Sequence, residues 1–177
     1  MLMILWFRHF PKISMDTAEW KPFIKNDWFR VHYMKFVYLL QATLILFAFF
    51  IDFGYRSINQ FTLILIGVIV FIIHEVLHVI VIYNKGDISL TFSGFFWLNT
   101  NAVLSKMRFW TFMSLPLIGL SVVPAILSLF VSGEIQSILI YISLLNLIIS
   151  GSDIFNSFLI AIKPKNSVFC RGYYRVE

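Results

Sequence analysis

Four long apolar runs dominate the sequence and limit what this chain can fold into. They cover about Met34–Phe53, Phe61–Tyr83, Phe109–Val131 and Ile135–Ile162. A helix of about 20 residues is needed to cross the hydrocarbon core of a bilayer, and each run is long enough. The chain is also 59% hydrophobic and 13% charged, whereas soluble domains have roughly 45–50% apolar and about 25% charged residues. The sequence therefore predicts an all-α integral membrane protein with about four transmembrane helices.

The distribution of Lys and Arg predicts how these helices are oriented. Of the 14 Lys and Arg residues, all but Arg56 fall in the segments 1–35, 84–108 and 163–177. Because cytoplasmic loops carry an excess of Lys and Arg, we expect a multi-pass protein of the cell membrane with both termini cytoplasmic. Orientation also accounts for the net charge of +5, so no nucleic-acid partner is predicted.

The same distribution divides the chain into three parts. Residues 1–35 form a cytoplasmic or interfacial N-terminal segment, residues 36–162 a transmembrane domain, and residues 163–177 a cytoplasmic tail. Within the first part, the stretch 20–36 mixes Trp, Phe and cations. It is read either as an interfacial helix on the membrane surface or as a solvated lead-in with aromatic anchors.

The loop between the second and third helices has an unusual composition. Its stretch 88–99, ISLTFSGFFWLN, alternates β-branched and aromatic residues around a glycine, which favours a strand or hairpin. We expect a membrane-associated hairpin or loop, because the stretch is too apolar for free solvent. Two roles stay open for it: an edge strand that pairs with unwound substrate, or a lid that only packs.

The second run contains His74-Glu75-x-x-His78, three ionisable residues in an apolar span. Such residues cost at least about 2.5–3.5 kcal/mol each at the bilayer centre and are usually functional or paired. At 100° per residue, His78 lies one turn from His74 on the same helix face, with Glu75 beside them. This geometry suits zinc bound by two imidazoles, with Glu75 as general base. The alternative is two buried histidines that only form hydrogen bonds.

A third zinc ligand is predicted on the last helix. Asp153 is the other acid deep within a span, and it lies nine residues before Ile162, just as His74 lies nine residues before Tyr83. At 1.5 Å per residue the two groups have the same depth, about 13 Å from the cytoplasmic ends of their helices. Asn146 shares a polar helix face with Asp153, and we interpret it as a substrate-binding residue.

These motifs together resemble a known family. HEVLH in a transmembrane helix, SLPLIG (114–119) and NLIISGSD (146–153) are similar to motifs of the zincin membrane peptidases, a family similar to the site-2 proteases. The resemblance implies His74, His78 and Asp153 as zinc ligands and Glu75 as the catalytic base. In place of the Pro and Asp-Gly of the site-2 protease signature, this chain has GSDIFN.

The sequence therefore predicts an intramembrane zinc metalloprotease, with residues 36–162 as its metalloprotease-like domain. Its expected substrate is a membrane or membrane-proximal peptide in the lipid bilayer, cut near the cytoplasmic face. Two other classes stay open: a non-catalytic metal-binding scaffold or pseudoprotease, and a metal transporter or sensor. The polar residues do not continue through the outer half of the helices, which disfavours transport.

Overall fold

Helices make up most of the structure, and two small sheets complete it. The computed structural model describes residues 4–7, 19–50, 54, 58–83, 85, 88–92 and 96–177. The elements are, in chain order, β1 Ile4–Phe7, β2 Lys21–Pro22, α1 Asp27–Phe50, α2 Gln60–Ile82, β3 Ile88–Phe92, β4 Phe96–Thr100, β5 Leu104–Ser105, α3 Lys106–Leu117, a π-helical stretch Ile118–Val122, α4 Val123–Leu127, α5 Gly133–Ile149, α6 Gly151–Ala161, β6 Ser167–Cys170 and β7 Tyr173–Val176.

Three helices are long and apolar enough to cross a membrane. These are α1, α2 and the continuous run Lys106–Leu127 formed by α3, the π-helical stretch and α4. Many of their large apolar side chains point outward, as lipid-facing helices require. Helix α1 begins at Asp27 and includes the second half of the 20–36 stretch without a break. The predicted end of the first span, residues 51–53, and Arg56 lie outside the described residues.

The fourth predicted span is broken rather than straight. Helices α5 and α6 meet at an angle of 65° and count as one span only if the bent pair is taken together. The side-chain amide of Gln41 on α1 donates to the carbonyl of Ile148 (2.9 Å), in the last turn of α5. Gly151 permits this approach, because a Cβ there would lie 2.9 Å from Gln41 Cγ. The break is therefore stabilised by a polar residue of the first span.

The two sheets join segments that are far apart in sequence. The first has the strand order β1-β3-β4, in which β3 and β4 are antiparallel as the hairpin prediction requires, and β1 pairs with β3 in parallel. The second has the order β2-β7-β6-β5. The expectation of an all-α fold is thus incomplete: the chain is mostly helical, but the loop, the tail and the N-terminal segment also form strands.

Both sheets lie at one end of the helices. Strand β2 precedes α1, β3 follows α2, β5 leads into α3 and β6 follows α6. Pairing of β1 with β3, β2 with β7 and β5 with β6 therefore brings the N-terminal segment, the loop and the tail together. A buried cluster of Ile82, Ile88, Ala102, Leu104 and Phe112 packs the strands against α2 and α3 at this end.

Candidate metal centre

Three predicted ligands meet in the interior of the helix bundle. His74 and His78 extend from α2 and Asp153 extends from α6, and their side chains are 3%, 6% and 9% exposed. His74 Nε2 lies 3.2 Å from His78 Nε2 and 3.2 Å from Asp153 Oδ2. His78 Nε2 lies 3.4 Å from the same carboxylate oxygen. The three atoms thus form a nearly equilateral triangle.

The tautomer of His74 follows from the contacts of Asn146. The Nδ2 atom of Asn146 donates to the carbonyl of Pro116 (3.0 Å), which can only accept, and to the hydroxyl of Ser121 (2.8 Å). The amide oxygen of Asn146 therefore faces His74 Nδ1, at 2.8 Å. Since this oxygen can only accept, the ring proton of His74 is on Nδ1 and its Nε2 lone pair faces Asp153 and His78.

His78 has the same tautomer for a similar reason. Its Nδ1 lies 2.6 Å from the carbonyl oxygen of Phe112, which can only accept a hydrogen bond. The ring of Phe112 also packs on the imidazole, with centroids 4.6 Å apart. The Nε2 lone pair of His78 is therefore directed toward His74 and Asp153.

The lone pairs of the two imidazoles and the carboxylate oxygen of Asp153 point toward one position, and together they form a binding site for a cation. Asp153 Oδ2 is buried and has no hydrogen-bond partner within the described part of the chain. Ligands placed about 2.0–2.1 Å from a tetrahedral zinc ion are about 3.3 Å from one another. The observed separations of 3.2–3.4 Å match this spacing on every edge. Two nitrogens and one carboxylate oxygen are also a donor set typical of catalytic zinc.

The break in the last span places Asp153 where its charge is favoured. Asp153 lies in the first turn of α6, which begins at Gly151 directly after the bend. The N-terminus of a helix carries a partial positive charge from its free N–H groups. A straight helix through this region would have put the carboxylate in mid-helix, without that stabilisation.

Glu75 on α2 is half-buried, whereas His74 and His78 are buried. It makes no hydrogen bond or ion pair with the residues that the structure describes, although it directly follows His74. A carboxylate that is free of protein partners and adjacent to a metal ligand can exchange protons with a bound molecule.

Asn146, predicted to bind substrate, is fully buried. Its amide is occupied by His74, Pro116, Ser121 and Ser150. The structure thus places it behind a ligand rather than on an accessible surface. Sequence reasoning did not identify Ser121 or the carbonyl of Phe112 as parts of this site. Only Pro116 offered a signal, since proline removes a helical hydrogen bond.

A cavity of about 220 Å³ lies beside the centre. Its apolar lining includes Phe23, Leu104, Phe109, Phe112, Met113 and Phe169. Asn156, one turn after Asp153 on α6, adds a polar group. Phe112 connects the cavity to the centre, because it is one of the lining residues and its carbonyl accepts a hydrogen bond from His78 Nδ1.

Comparison with protein families identifies the chain. The profile of a family described as "Putative zincin peptidase" matches residues 67–168, which is more than half of the sequence. The chain belongs to this zincin peptidase family. His74, His78 and Asp153 all lie within the matched segment, and the family implies zinc as the cofactor that they bind. No curated protein and no solved structure matches the chain.

Proposed function

We propose that this zincin peptidase is an intramembrane metalloprotease, similar to the site-2 proteases, that hydrolyses a membrane or membrane-proximal peptide. The observation that carries the proposal is the three-ligand set on apolar helices, next to the Glu75 carboxylate, which forms no hydrogen bond or ion pair with the described residues. Three protein ligands leave the fourth position of a tetrahedral zinc ion for water, which is typical of catalytic rather than structural sites.

Each site residue has a defined task in this reaction. When bound by His74, His78 and Asp153, zinc would act as a Lewis acid that activates water and polarises a peptide carbonyl. Glu75 would accept the proton of the attacking water and then donate it to the leaving amide nitrogen. The contacts of Asn146 and of the Phe112 carbonyl would keep the imidazoles oriented.

The hairpin and the cavity are proposed to bind the substrate. A transmembrane helix hides its amide bonds, so a substrate has to unwind before it is cut. The sheet order leaves one side of β4 unpaired among the described strands, and that edge could pair with an extended peptide. The cavity beside Phe112 would then take an apolar side chain next to the cleaved bond.

The membrane face at which cleavage occurs is also part of the proposal. Among the described residues, most Lys and Arg lie in or next to the strands of the two sheets, at one end of the helices. By the positive-inside rule that end, and both termini with it, would be cytoplasmic. Cleavage would then occur close to the cytoplasmic face.

Glu75→Gln tests the proposal directly. The purified protein would be incubated in liposomes with a library of apolar peptides about 20 residues long, and products would be identified by mass spectrometry. We expect the variant to keep its zinc and to lose at least about 100-fold in cleavage rate, the usual effect of a lost general base.

The matched control is Glu134→Gln, which removes an exposed carboxylate from the first turn of α5 and should cleave like the wild type. Cleavage by Glu75→Gln at the wild-type rate would overturn the assignment of the base. A zinc-loaded wild type that cleaves none of the peptides would instead support the scaffold alternative.

A further inference from the structure

We propose that Pro116, which binds no metal itself, is the positioning residue for both zinc-binding histidines. It acts on His78 through a carbonyl that it leaves unpaired and on His74 through its own carbonyl. The inference rests on the zinc site and not on peptide hydrolysis, so it can fail or hold independently of the proposed activity.

The first route runs to His78. In an α-helix, the carbonyl of Phe112 would accept a hydrogen bond from the N–H of residue 116, four residues later. Proline has no N–H, so this carbonyl lacks its helical partner. It accepts instead from His78 Nδ1 at 2.6 Å. Both groups are buried, and each would be left without a partner if the other were removed.

The second route runs to His74. The carbonyl of Pro116 accepts from Asn146 Nδ2 at 3.0 Å, which fixes the orientation of that amide. The opposite side of the amide then presents its oxygen to His74 Nδ1 at 2.8 Å. Pro116 and Asn146 are both fully buried, so water does not replace these contacts.

Each route predicts that a different substitution disturbs a different histidine. Pro116→Ala restores an N–H that can recapture the Phe112 carbonyl, but it keeps the carbonyl of residue 116. The variant should therefore disturb His78 and leave His74 in place. Asn146→Leu should do the opposite, because it removes the acceptor of His74 without touching Phe112.

Nitrogen NMR of selectively ¹⁵N-histidine-labelled, metal-free protein in detergent micelles can separate these effects. The chain has only four histidines, so few ring signals need assignment. We expect the Nδ1-protonated form of both site histidines in the wild type. In Pro116→Ala only His78 should shift toward a mixture of tautomers, and in Asn146→Leu only His74 should do so.

Zinc affinity provides the second measurement, by competition with a chelating dye. Loss of an outer hydrogen-bond partner typically weakens metal binding 10–100-fold, and we expect this for both variants. Asn146→Asp keeps an acceptor for His74 Nδ1 but has no N–H for the Pro116 carbonyl, so it should recover only part of the affinity lost in Asn146→Leu. A residue that only fills space would not show this recovery.

Pro124→Ala is the matched control for the proline itself. Pro124 is buried in the first turn of α4, and none of the hydrogen bonds of the two imidazoles involves it. An equal loss of affinity in this control would show that the effect comes from the general shape of the span and would overturn the proposal. So would unchanged His78 signals and zinc affinity within twofold of the wild type in Pro116→Ala.

We expect the Pro116→Ala variant to fold. Alanine is the best helix former, so the substitution strengthens the helix locally. If Pro116→Ala were nevertheless unfolded by circular dichroism, the two Asn146 variants would still test the route to His74. Equal zinc affinities of Asn146→Leu and the wild type would then overturn it.

Discussion

Replacement of Asp153 with asparagine should change the response of this protein to zinc in a measurable way. In the metal-free protein, Asp153 Oδ2 is buried near two imidazole lone pairs and has no hydrogen-bond partner among the described residues. Asparagine has a similar shape, is neutral and offers an N–H donor to those lone pairs. The variant therefore keeps the shape of the site but lacks the anionic oxygen that would bind zinc.

Zinc binding should therefore stabilise the wild type more than it stabilises Asp153→Asn. Zinc-binding free energies of about 10–16 kcal/mol for structural sites imply a loss of roughly 3–5 kcal/mol when one of three ligands is removed. That loss corresponds to an affinity about 10²–10⁴-fold weaker. At free zinc a thousand times above the wild-type Kd, the wild type gains about 4 kcal/mol and the variant at most about 1.4 kcal/mol.

A thermal melt with and without zinc measures this difference. For a chain of this length, 1 kcal/mol shifts Tm by about 2–4 °C, so zinc should raise Tm by about 8–16 °C in the wild type and by less than about 6 °C in Asp153→Asn. Ser157→Ala, on the same helix, is the control and should respond like the wild type. Equal zinc-induced shifts in Asp153→Asn and the wild type would refute the third ligand.

Two further predictions concern the cavity and the single cysteine. Leu104 is buried in the cavity wall, and the volume of a pocket sets which side chains it accepts. Leu104→Trp should therefore lower the cleavage rate of peptides with a bulky residue beside the cut at least about tenfold, relative to peptides with alanine there. An unchanged ratio of the two rates would contradict the role of the cavity. Burial raises the pKa of the Cys170 thiol, so its alkylation by iodoacetamide at pH 8 should be slower in the folded than in the denatured protein and should accelerate as the pH rises. Equal rates in both states would show that the thiol is exposed.

The three candidate ligands could be predicted from the sequence because ionisable residues are rare in segments as apolar as these. A charged residue in an apolar span needs a reason to be there, and this isolates His74, His78 and Asp153 without knowledge of the fold. The equal depth of His74 and Asp153 survives in the structure, where each lies eight residues before the last residue of its helix, Ile82 or Ala161. The hairpin was also predictable, since β-branched and aromatic alternation is a local signal.

The break between α5 and α6 could not be predicted, because its causes are not local. Ser150 and Gly151 occur commonly in transmembrane helices, and the span is apolar on both sides of them. The bend depends on the amide of Gln41, which lies more than 100 residues earlier and donates to Ile148. Nothing in the periodicity of either segment specifies this contact.

The contacts of Asn146 could be predicted from the sequence only in part. Its place on the polar face of the last span was visible in the sequence, but its partners on other helices were not. The strands β6 and β7 were missed for a related reason. They are four residues long each, and their partners β5 and β2 consist of only two residues.

The second sheet has a consequence for how the protein is made. Its strands come from residues 21–22, 104–105 and 167–176, so it cannot close until β7 has left the ribosome. Asp153 is likewise synthesised after His74 and His78. A nascent chain that ends before α6 would hold both imidazoles but no carboxylate from that helix, so its candidate metal site would stay incomplete until α6 is added.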